Sequence, residues 1–524
     1  MLNRRRWIMI VLLVAVTVLI HARAIGFGFC VCDDQHQIVH NTTLNWHAAP
    51  GYFVKDVWNF KDPQYRNYYR PLFLVWLLVN FKALALHAAW WHVTSLLLHA
   101  AVVVQVYLLA LRLLRNDWLA AVSAWLFAAH PAHVESVVWL SGVTEPLVAV
   151  FFLGSLLTYL RWRESGKTTA LAACGALTLL ALLCKEPALA GPVLIASYEW
   201  LFPRAENSAA RLKGVAQAAW LPLAAVAVYF VLRVNAVRHV VAPSNPALPV
   251  LWSAPGLLLK FLGMLCWPSG LAFYHADRIL TAPSLVGFWL PLAVLVALAG
   301  LVWRMGDRMI AFCALGLVLP LLPVLMGVLT FPHDDIVHDR YTYLSSIFLA
   351  LLAGYVLGRL PLGNRTVLNR PAVVMLPLAP ICLLAALTAV QVEWWQSGLS
   401  LFTRAVDVAP ENIRARNLLA NEYFKAGAVD RALSLYARTL ELDPNKWETN
   451  FSAGVTLASV GQLAQAEALL RRSTEEDPTM ALGFAQLADV LRAEGKNGEA
   501  QQVLQQGLLS ADGQKEMLRE RLGK

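Results

Sequence analysis

Two adjacent carboxylates follow the first apolar run of the chain, in the sequence Cys30-Val-Cys-Asp33-Asp34-Gln-His36. Because a carboxylate is costly to desolvate, Asp33 and Asp34 are expected in water or in a polar cleft. Such a pair can serve as a general base that takes the proton of a hydroxyl group. It can also simply mark where a first helix leaves a bilayer, and the residue types alone leave both interpretations open.

Further polar residues gather at the ends of later apolar runs. A carboxylate could act on an acceptor hydroxyl while nearby cations and phenols stabilise a departing phosphate. Glu145 falls inside an apolar run, so it should face protein or a water-filled cavity. No Walker-type phosphate loop is present, so this chemistry would not depend on ATP. Besides Asp33, Asp34 and His36, the candidates are Arg70, His130, His133, Glu135, Glu145, Lys185, Glu186, His338, Asp339, Arg340, Tyr341 and Tyr343.

Simpler interpretations apply to several of these residues. His130, His133 and Glu135 could be metal ligands, but capping and loop hydrogen bonds account for them better, and no metal or other cofactor is predicted. Lys185 and Glu186 could pair with each other at a helix end. The run from His338 to Arg340 could be an ion pair that closes a loop.

Composition places most of the chain in lipid. Of its 524 residues, 58% are hydrophobic and only 15% are charged. The net charge of +9 does not predict a nucleic-acid partner, because the basic residues form short clusters between apolar runs. The seven cysteines are scattered, and they imply no disulfide framework.

The distribution of basic residues predicts a topology. Arg4, Arg5 and Arg6 precede the first run and should remain in the cytoplasm, so that the acidic pair emerges on the opposite side. About eleven spans are expected between residues 1 and 395. Residues 71–89 and 257–267 are expected to be interfacial helices. The carboxyl end would then face the periplasm in a bacterial inner membrane, or the lumen in an endoplasmic reticulum membrane.

The carboxyl-terminal part repeats every 34 residues, the period of tetratricopeptide (TPR) repeats. Small residues at fixed offsets let the two helices of each pair approach, and stacked pairs bury a common core. We predict about three repeats over residues 411–512, a linker at 396–410 and a tail at 513–524. The predicted fold is therefore all-α, a polytopic membrane domain followed by an α-solenoid. The recurring residues are Pro410, Pro444 and Pro478; Gly427, Gly461 and Gly495; Ala432, Ala466 and Ala500; and Ala420, Gly454 and Ala488.

Several short motifs occur in one order along the chain. They are the acidic pair, Tyr69-Arg70-Pro71, His130-Pro131-x-His133-x-Glu135, Lys185-Glu186 and Asp339-Arg340-Tyr341-x-Tyr343, with the repeats behind them. In this order they resemble the transmembrane-and-TPR O-mannosyltransferase family and its bacterial relatives. The resemblance covers nearly the whole chain. It departs from the animal members in the number of repeats, which is much larger there.

The resemblance implies a glycosyltransferase of the C superfamily with an outer active site and a polyprenyl-phosphate sugar as donor. It also implies that Asp33 or Asp34 is the catalytic base and that Glu135 is the acid of the second outer turn. Arg340 and Tyr343 would hold the donor phosphate, with Lys185 and Arg70 as further candidates. The remaining polar candidates would line the cleft.

The leading hypothesis is therefore sugar transfer to a Ser or Thr hydroxyl of an exported protein, with the repeats binding the polypeptide acceptor. Two alternatives come from other classes. The protein could be a non-catalytic membrane scaffold that recruits partners through its repeats. It could also be a flippase for a lipid-linked sugar, although that class predicts intramembrane charges and paired broken helices.

Overall fold

The structure is a computed structural model that describes residues 3–58, 68–204, 207–237, 244–331, 335–362, 366–367, 370–511 and 514–523. These residues are helical almost throughout, with one short pair of antiparallel strands. The chain divides into two compact units. The first comprises residues 1–271 and 277–397, and the second comprises residues 272–276 and 398–524.

Within the described residues, nine helices are long and apolar enough to cross a membrane. Three shorter apolar helices accompany them, at Pro71–Leu84, Asp117–Ala128 and Thr168–Cys184. The first unit is thus that of a multi-pass membrane protein. The nine long helices are Arg4–Gly26, Ala88–Leu114, Leu140–Ser165, Ser208–Ala236, Ala247–Cys266, Leu285–Met305, Arg308–Gly327, Asp339–Arg359 and Ala372–Glu393.

One of the nine differs from the sequence prediction. Residues 257–267 were expected to be an interfacial helix, but the helix begins at Ala247 and runs for 20 residues. Pro249 and Pro255 concealed its first turns; Pro249 lies near the helix start, where proline is well tolerated, whereas Pro255 lies inside the helix. The prediction for residues 71–89 fits better, because Pro71–Leu84 has 14 residues and is too short to cross at the ordinary rise of a helix.

Small residues allow the helices of the first unit to approach closely. A Cβ on Gly316 would overlap the ring of Phe348, and a Cβ on Gly354 would overlap the hydroxyl of Ser123. The largest resulting cluster of buried apolar side chains includes the fully buried Val103. The first-unit α-helices are α1 Arg4–His21, α2 Pro71–Leu84, α3 Ala88–Leu114, α4 Asp117–Ala128, α5 Val134–Val138, α6 Thr144–Ser165, α7 Thr168–Cys184, α8 Ala190–Leu201, α9 Ser208–Ala236, α10 Ala247–Cys266, α11 Leu290–Met305, α12 Arg308–Val318, α13 Leu322–Gly327, α14 Tyr343–Arg359, α15 Ala372–Met375 and α16 Leu378–Glu393, and the strands are β1 Thr366–Val367 and β2 Arg370–Pro371.

The second unit contains three helix pairs at the predicted period. Each pair turns at a glycine with positive φ, 77° at Gly427, 78° at Gly461 and 80° at Gly495, a conformation that favours glycine. Gly454 lies where two helices meet, and a Cβ there would come within 2.7 Å of Leu470. The pairs are α18 Ile413–Lys425 with α19 Val429–Leu442, α20 Trp447–Ser459 with α21 Leu463–Glu476, and α22 Ala481–Ala493 with α23 Asn497–Ser510.

Two further helices flank the repeats. The segment expected as a linker, 396–410, contains α17, Gly398–Val408, which packs on α18. The segment expected as a tail contains α24, Lys515–Leu522, whose Leu518 is fully buried in the core of the repeats. The predicted boundary between residues 512 and 513 lies outside the described residues.

Candidate functional site

The acidic pair lies in a tight turn that follows the first long helix. Asp34 is 1% exposed and accepts three hydrogen bonds, from Cys30 N at 2.9 Å, Ser141 N at 2.8 Å and Ser141 Oγ at 2.6 Å. Burial raises the pKa of Asp34 to about 6, although these donors oppose the shift. Asp33 is half-buried, and His36 is exposed in the following helical turn. The two carboxylates therefore have different surroundings.

Glu135 and Arg340 form a buried ion pair between residues 205 positions apart. The backbone amide of Arg340 also donates to the other carboxylate oxygen of Glu135, at 2.9 Å. The guanidinium of Arg340 lies over the rings of Trp139 and Tyr341, 5.0 and 4.9 Å from their centroids. Arg340 is thus fixed by charge, by its own backbone and by two aromatic faces.

Lys185 makes a second buried ion pair, with Glu145. The side chains of Lys185 and Glu145 are 5% and 2% exposed. Burial lowers the pKa of Lys185 to about 8; Glu145 opposes this shift, while the charges of Arg70 and Arg340 reinforce it. Glu145 therefore faces protein, as expected for a carboxylate in an apolar helix.

Glu186 is held between two arginines. Arg70 Nη2 lies 3.0 Å from one carboxylate oxygen, and Arg233 Nη1 lies 3.3 Å from the other. Burial disfavours the charged form of Glu186, but the two guanidinium groups outweigh it and lower its pKa. The expectation that Lys185 and Glu186 pair with each other is wrong, since each has a partner from another helix.

Local sequence explains how these side chains are presented. Lys185 has an extended backbone that ends α7, so it and Glu186 point to different partners although they are neighbours. Arg70 immediately precedes Pro71, which occupies the first turn of α2, where its missing amide is not needed. Arg340 lies in a 3₁₀ turn, Asp339–Thr342, directly before α14. Helix ends thus supply most of the charged groups.

His130, His133 and Tyr343 make hydrogen bonds within the fold and are not members of the ion pairs described above. His130 Nε2 lies 2.9 Å from the carbonyl oxygen of Leu265, and His133 Nε2 lies 2.7 Å from Ser346 Oγ. Burial lowers the pKa of His130 to about 4, so this imidazole is neutral at pH 7. The hydroxyl of Tyr343 bonds to His99 Nδ1 at 2.6 Å, not to the cations with which it was grouped.

The remaining polar candidates fall near Arg340. His338 is buried, with Nδ1 3.7 Å from Glu135 and Nε2 2.9 Å from Asp335. Asp339 is also buried, and its backbone carbonyl accepts from Thr342 Oγ1 at 2.8 Å. In the part of the chain that the structure describes, no three His, Cys, Asp or Glu side chains are placed to hold a metal ion.

Sequence reasoning missed two residues of this site. Ser141 donates a hydrogen bond to Asp34 across 107 positions, and no local sequence pattern identifies a single serine as such a donor. Arg233 pairs with Glu186, and it did carry a signal. It lies at the end of a long apolar helix on the side where basic residues were otherwise scarce.

The fold and the site define a class: a multi-pass membrane protein with an acidic loop and a buried ion-pair cluster, followed by a TPR array. A family model described as Tetratricopeptide repeat matches residues 383–446 and 417–481. The helix pairs at 413–510 carry the same period in the structure. The sequence prediction of TPR repeats is therefore confirmed.

Curated relatives extend the similarity to the membrane unit. The protein O-mannosyl-transferase TMTC3 of Mus musculus is 24% identical over 95% of this chain and 60% of its own length. The TMTC3 of Homo sapiens is 23% identical over the same shares. The protein O-mannosyl-transferase Tmtc2 of Drosophila melanogaster is 32% identical over 34% of this chain and 20% of its own.

The resemblance to transmembrane-and-TPR O-mannosyltransferases is thus confirmed along nearly the whole chain. The chain itself spans 60% of the length of the mouse and human relatives.

Proposed function

We propose that this protein is a membrane glycosyltransferase of the C superfamily that moves a sugar from a polyprenyl-phosphate donor to a Ser or Thr hydroxyl of an exported protein. One observation carries the proposal. A half-buried acid, Asp33, adjoins an anchored one, Asp34, and the segment whose Ser141 anchors Asp34 also carries Glu135, the partner of Arg340. The names of the relatives, protein O-mannosyl-transferases, support the reaction class and make mannose the first sugar to test.

The cations of the cluster suit a phosphodiester donor. Arg70, Lys185, Arg233 and Arg340 are held close together by the carboxylates Glu135, Glu145 and Glu186, and the charge of Asp335 also acts on Arg340. A sugar phosphodiester carries one negative charge, and the departing polyprenyl phosphate gains another. Cations held in a buried site stabilise that developing charge more effectively than they could in water.

Asp33 is the base in this proposal. The acceptor hydroxyl attacks the anomeric carbon, its proton passes to Asp33, and the bond from that carbon to the phosphate oxygen breaks, so the configuration inverts. Asp33 is half-buried and can be reached by an acceptor, whereas Asp34 is almost fully buried. Glu135 holds Arg340 and does not itself transfer a proton.

The repeats bind the acceptor polypeptide in this scheme, because stacked helix pairs present an extended concave surface. The transfer takes place on the extracytoplasmic side, at the periplasmic face of a bacterial inner membrane or in the lumen of the endoplasmic reticulum. The basic amino end supports that orientation. The polyprenyl tail of the donor stays in the bilayer.

The test uses purified protein in nanodiscs with polyprenyl-phosphate mannose labelled in the sugar and a Ser/Thr-rich peptide. Asp33→Asn should lower kcat by roughly 10²–10⁴-fold, the usual contribution of a general base. Asp34→Asn should lower it less and also destabilise the loop. Asp117→Asn is the matched control, since this exposed carboxylate is paired with Arg6 outside the cluster.

If Asp33→Asn transferred the sugar as fast as the wild type, the base would be a different residue. No transfer by the wild type, together with retained capture of peptides by the repeats, would favour the membrane scaffold. Movement of the labelled lipid between leaflets without transfer would favour the flippase.

A further inference from the structure

Ser141 joins the acidic loop, residues 30–36, to the rest of the unit through two hydrogen bonds. Its hydroxyl donates to Asp34 Oδ1 at 2.6 Å, and its amide donates to the same oxygen at 2.8 Å. The other oxygen of Asp34 accepts from the amide of Cys30 within the loop. Bonds from neutral donors to a buried carboxylate are short and strong, so Asp34 fastens the loop at one defined place.

The segment that carries Ser141 also carries the partner of Arg340. Residues 135–143 run from Glu135, which pairs with Arg340, past Trp139, which lies under its guanidinium, to Ser141. Gly142 keeps this segment compact. A Cβ on Gly142 would come within 2.7 Å of the Glu135 carbonyl oxygen and 2.9 Å of the Trp139 ring. The distance between the two ends of the segment is therefore set by tight packing.

One short, rigid segment thus contacts both halves of the site. At one end it holds the loop of the acidic pair, and at the other it holds the cation placed to receive the phosphate. Ser95, in α3, offers a contrast. It donates to the carbonyl of Val137 at 2.7 Å, a contact to backbone that reaches neither half.

We infer that Ser141 is a positioning residue that sets the distance between the base Asp33 and the donor phosphate by docking Asp34 onto residues 135–143. This inference rests on the proposed function. Transfer requires the acceptor oxygen and the anomeric carbon to approach to about 3–3.5 Å, and a displacement of about 1 Å can cost 100-fold in rate. Loosening the loop therefore slows the chemical step, whereas the donor still binds to its cations.

The test compares Ser141→Ala with the wild type in the nanodisc assay. We expect kcat to fall about tenfold or more while the KM for polyprenyl-phosphate mannose stays within about twofold. In a protein that already carries Asp34→Asn, Ser141→Ala should cause no further loss, because the two residues act through one contact. Ser155→Ala is the matched control, a buried hydroxyl bonded to Thr178 in the core of α6 and α7.

A second readout does not depend on activity. Cys30 and Cys32 are partly exposed in the acidic loop, so their alkylation rates report how firmly the loop is docked. Faster alkylation is expected in Ser141→Ala and not in Ser155→Ala. Unchanged alkylation and kcat would overturn the inference, as would additive losses in the double variant. An inactive wild type whose alkylation still responds to Ser141→Ala would reject the proposed transfer alone and leave Ser141 as the anchor of the loop.

Discussion

Raising the pH should deprotonate Lys185 and remove its positive charge from the cluster. Burial lowers the pKa of Lys185 to about 8. Its charged fraction is then about nine-tenths at pH 7 and about one-tenth at pH 9, since each pH unit beyond the pKa changes the ratio tenfold. If the departing phosphate needs this charge, the transfer rate should fall about tenfold over that interval. Initial rates in nanodiscs between pH 6 and 10 measure it.

Lys185→Arg separates this cause from others, because a guanidinium stays charged throughout that range. The variant should have a lower rate, since its fork does not fit the Glu145 site, but its rate should no longer fall near pH 8. Lys82→Arg, at the far end of α2 from Arg70, is the matched control and should keep the wild-type profile. A wild-type rate that is flat to pH 9.5, or an alkaline limb that persists unchanged in Lys185→Arg, would refute the reasoning.

Two stability predictions test the packing. Glu135→Gln leaves the buried guanidinium of Arg340 without its carboxylate and should destabilise the membrane unit by about 3–5 kcal/mol; thermal unfolding in nanodiscs measures this. Glu164→Gln, at an exposed pair with Arg112, should cost about 1 kcal/mol or less, and equal losses would contradict the burial argument. Gly454→Ala should destabilise the repeats by about 1–3 kcal/mol, because its Cβ meets Leu470 at 2.7 Å. Gly498→Ala, with open space around it, should be close to neutral, and a similar loss there would rule out the steric cause.

The sequence predicted the parts of this protein that depend on local pattern. Apolar runs with basic clusters gave most of the long helices, and the 34-residue period gave the three helix pairs with their glycine turns. Where two prolines interrupted the apolar pattern, at Pro249 and Pro255, the same reasoning underestimated a helix. Pro249 is a weak signal of a helix end, because the first amides have no partner to lose, and Pro255 is accommodated inside the helix.

Pairing across the fold could not be predicted. Lys185 and Glu186 are neighbours in the chain just after α7, yet their partners come from α6, from Arg70 directly before α2 and from α9. Tyr343 belongs to the motif Asp339-Arg340-Tyr341-x-Tyr343, but its hydroxyl is hydrogen-bonded to His99, 244 residues away. Such choices depend on which helices pack together, and hydropathy does not contain that information. The site was therefore predicted as a set of residues but not as a geometry.

The three glycine turns bear on how the length of this protein could change. Each turn has the same left-handed backbone, within a few degrees, so the two helices of every pair are connected in the same way. A gain or loss of one whole 34-residue period would keep the register of all other pairs, because each contacts only its neighbours. Gene variants that lengthen or shorten the array in whole periods should therefore fold, whereas insertions of other lengths should be removed by selection.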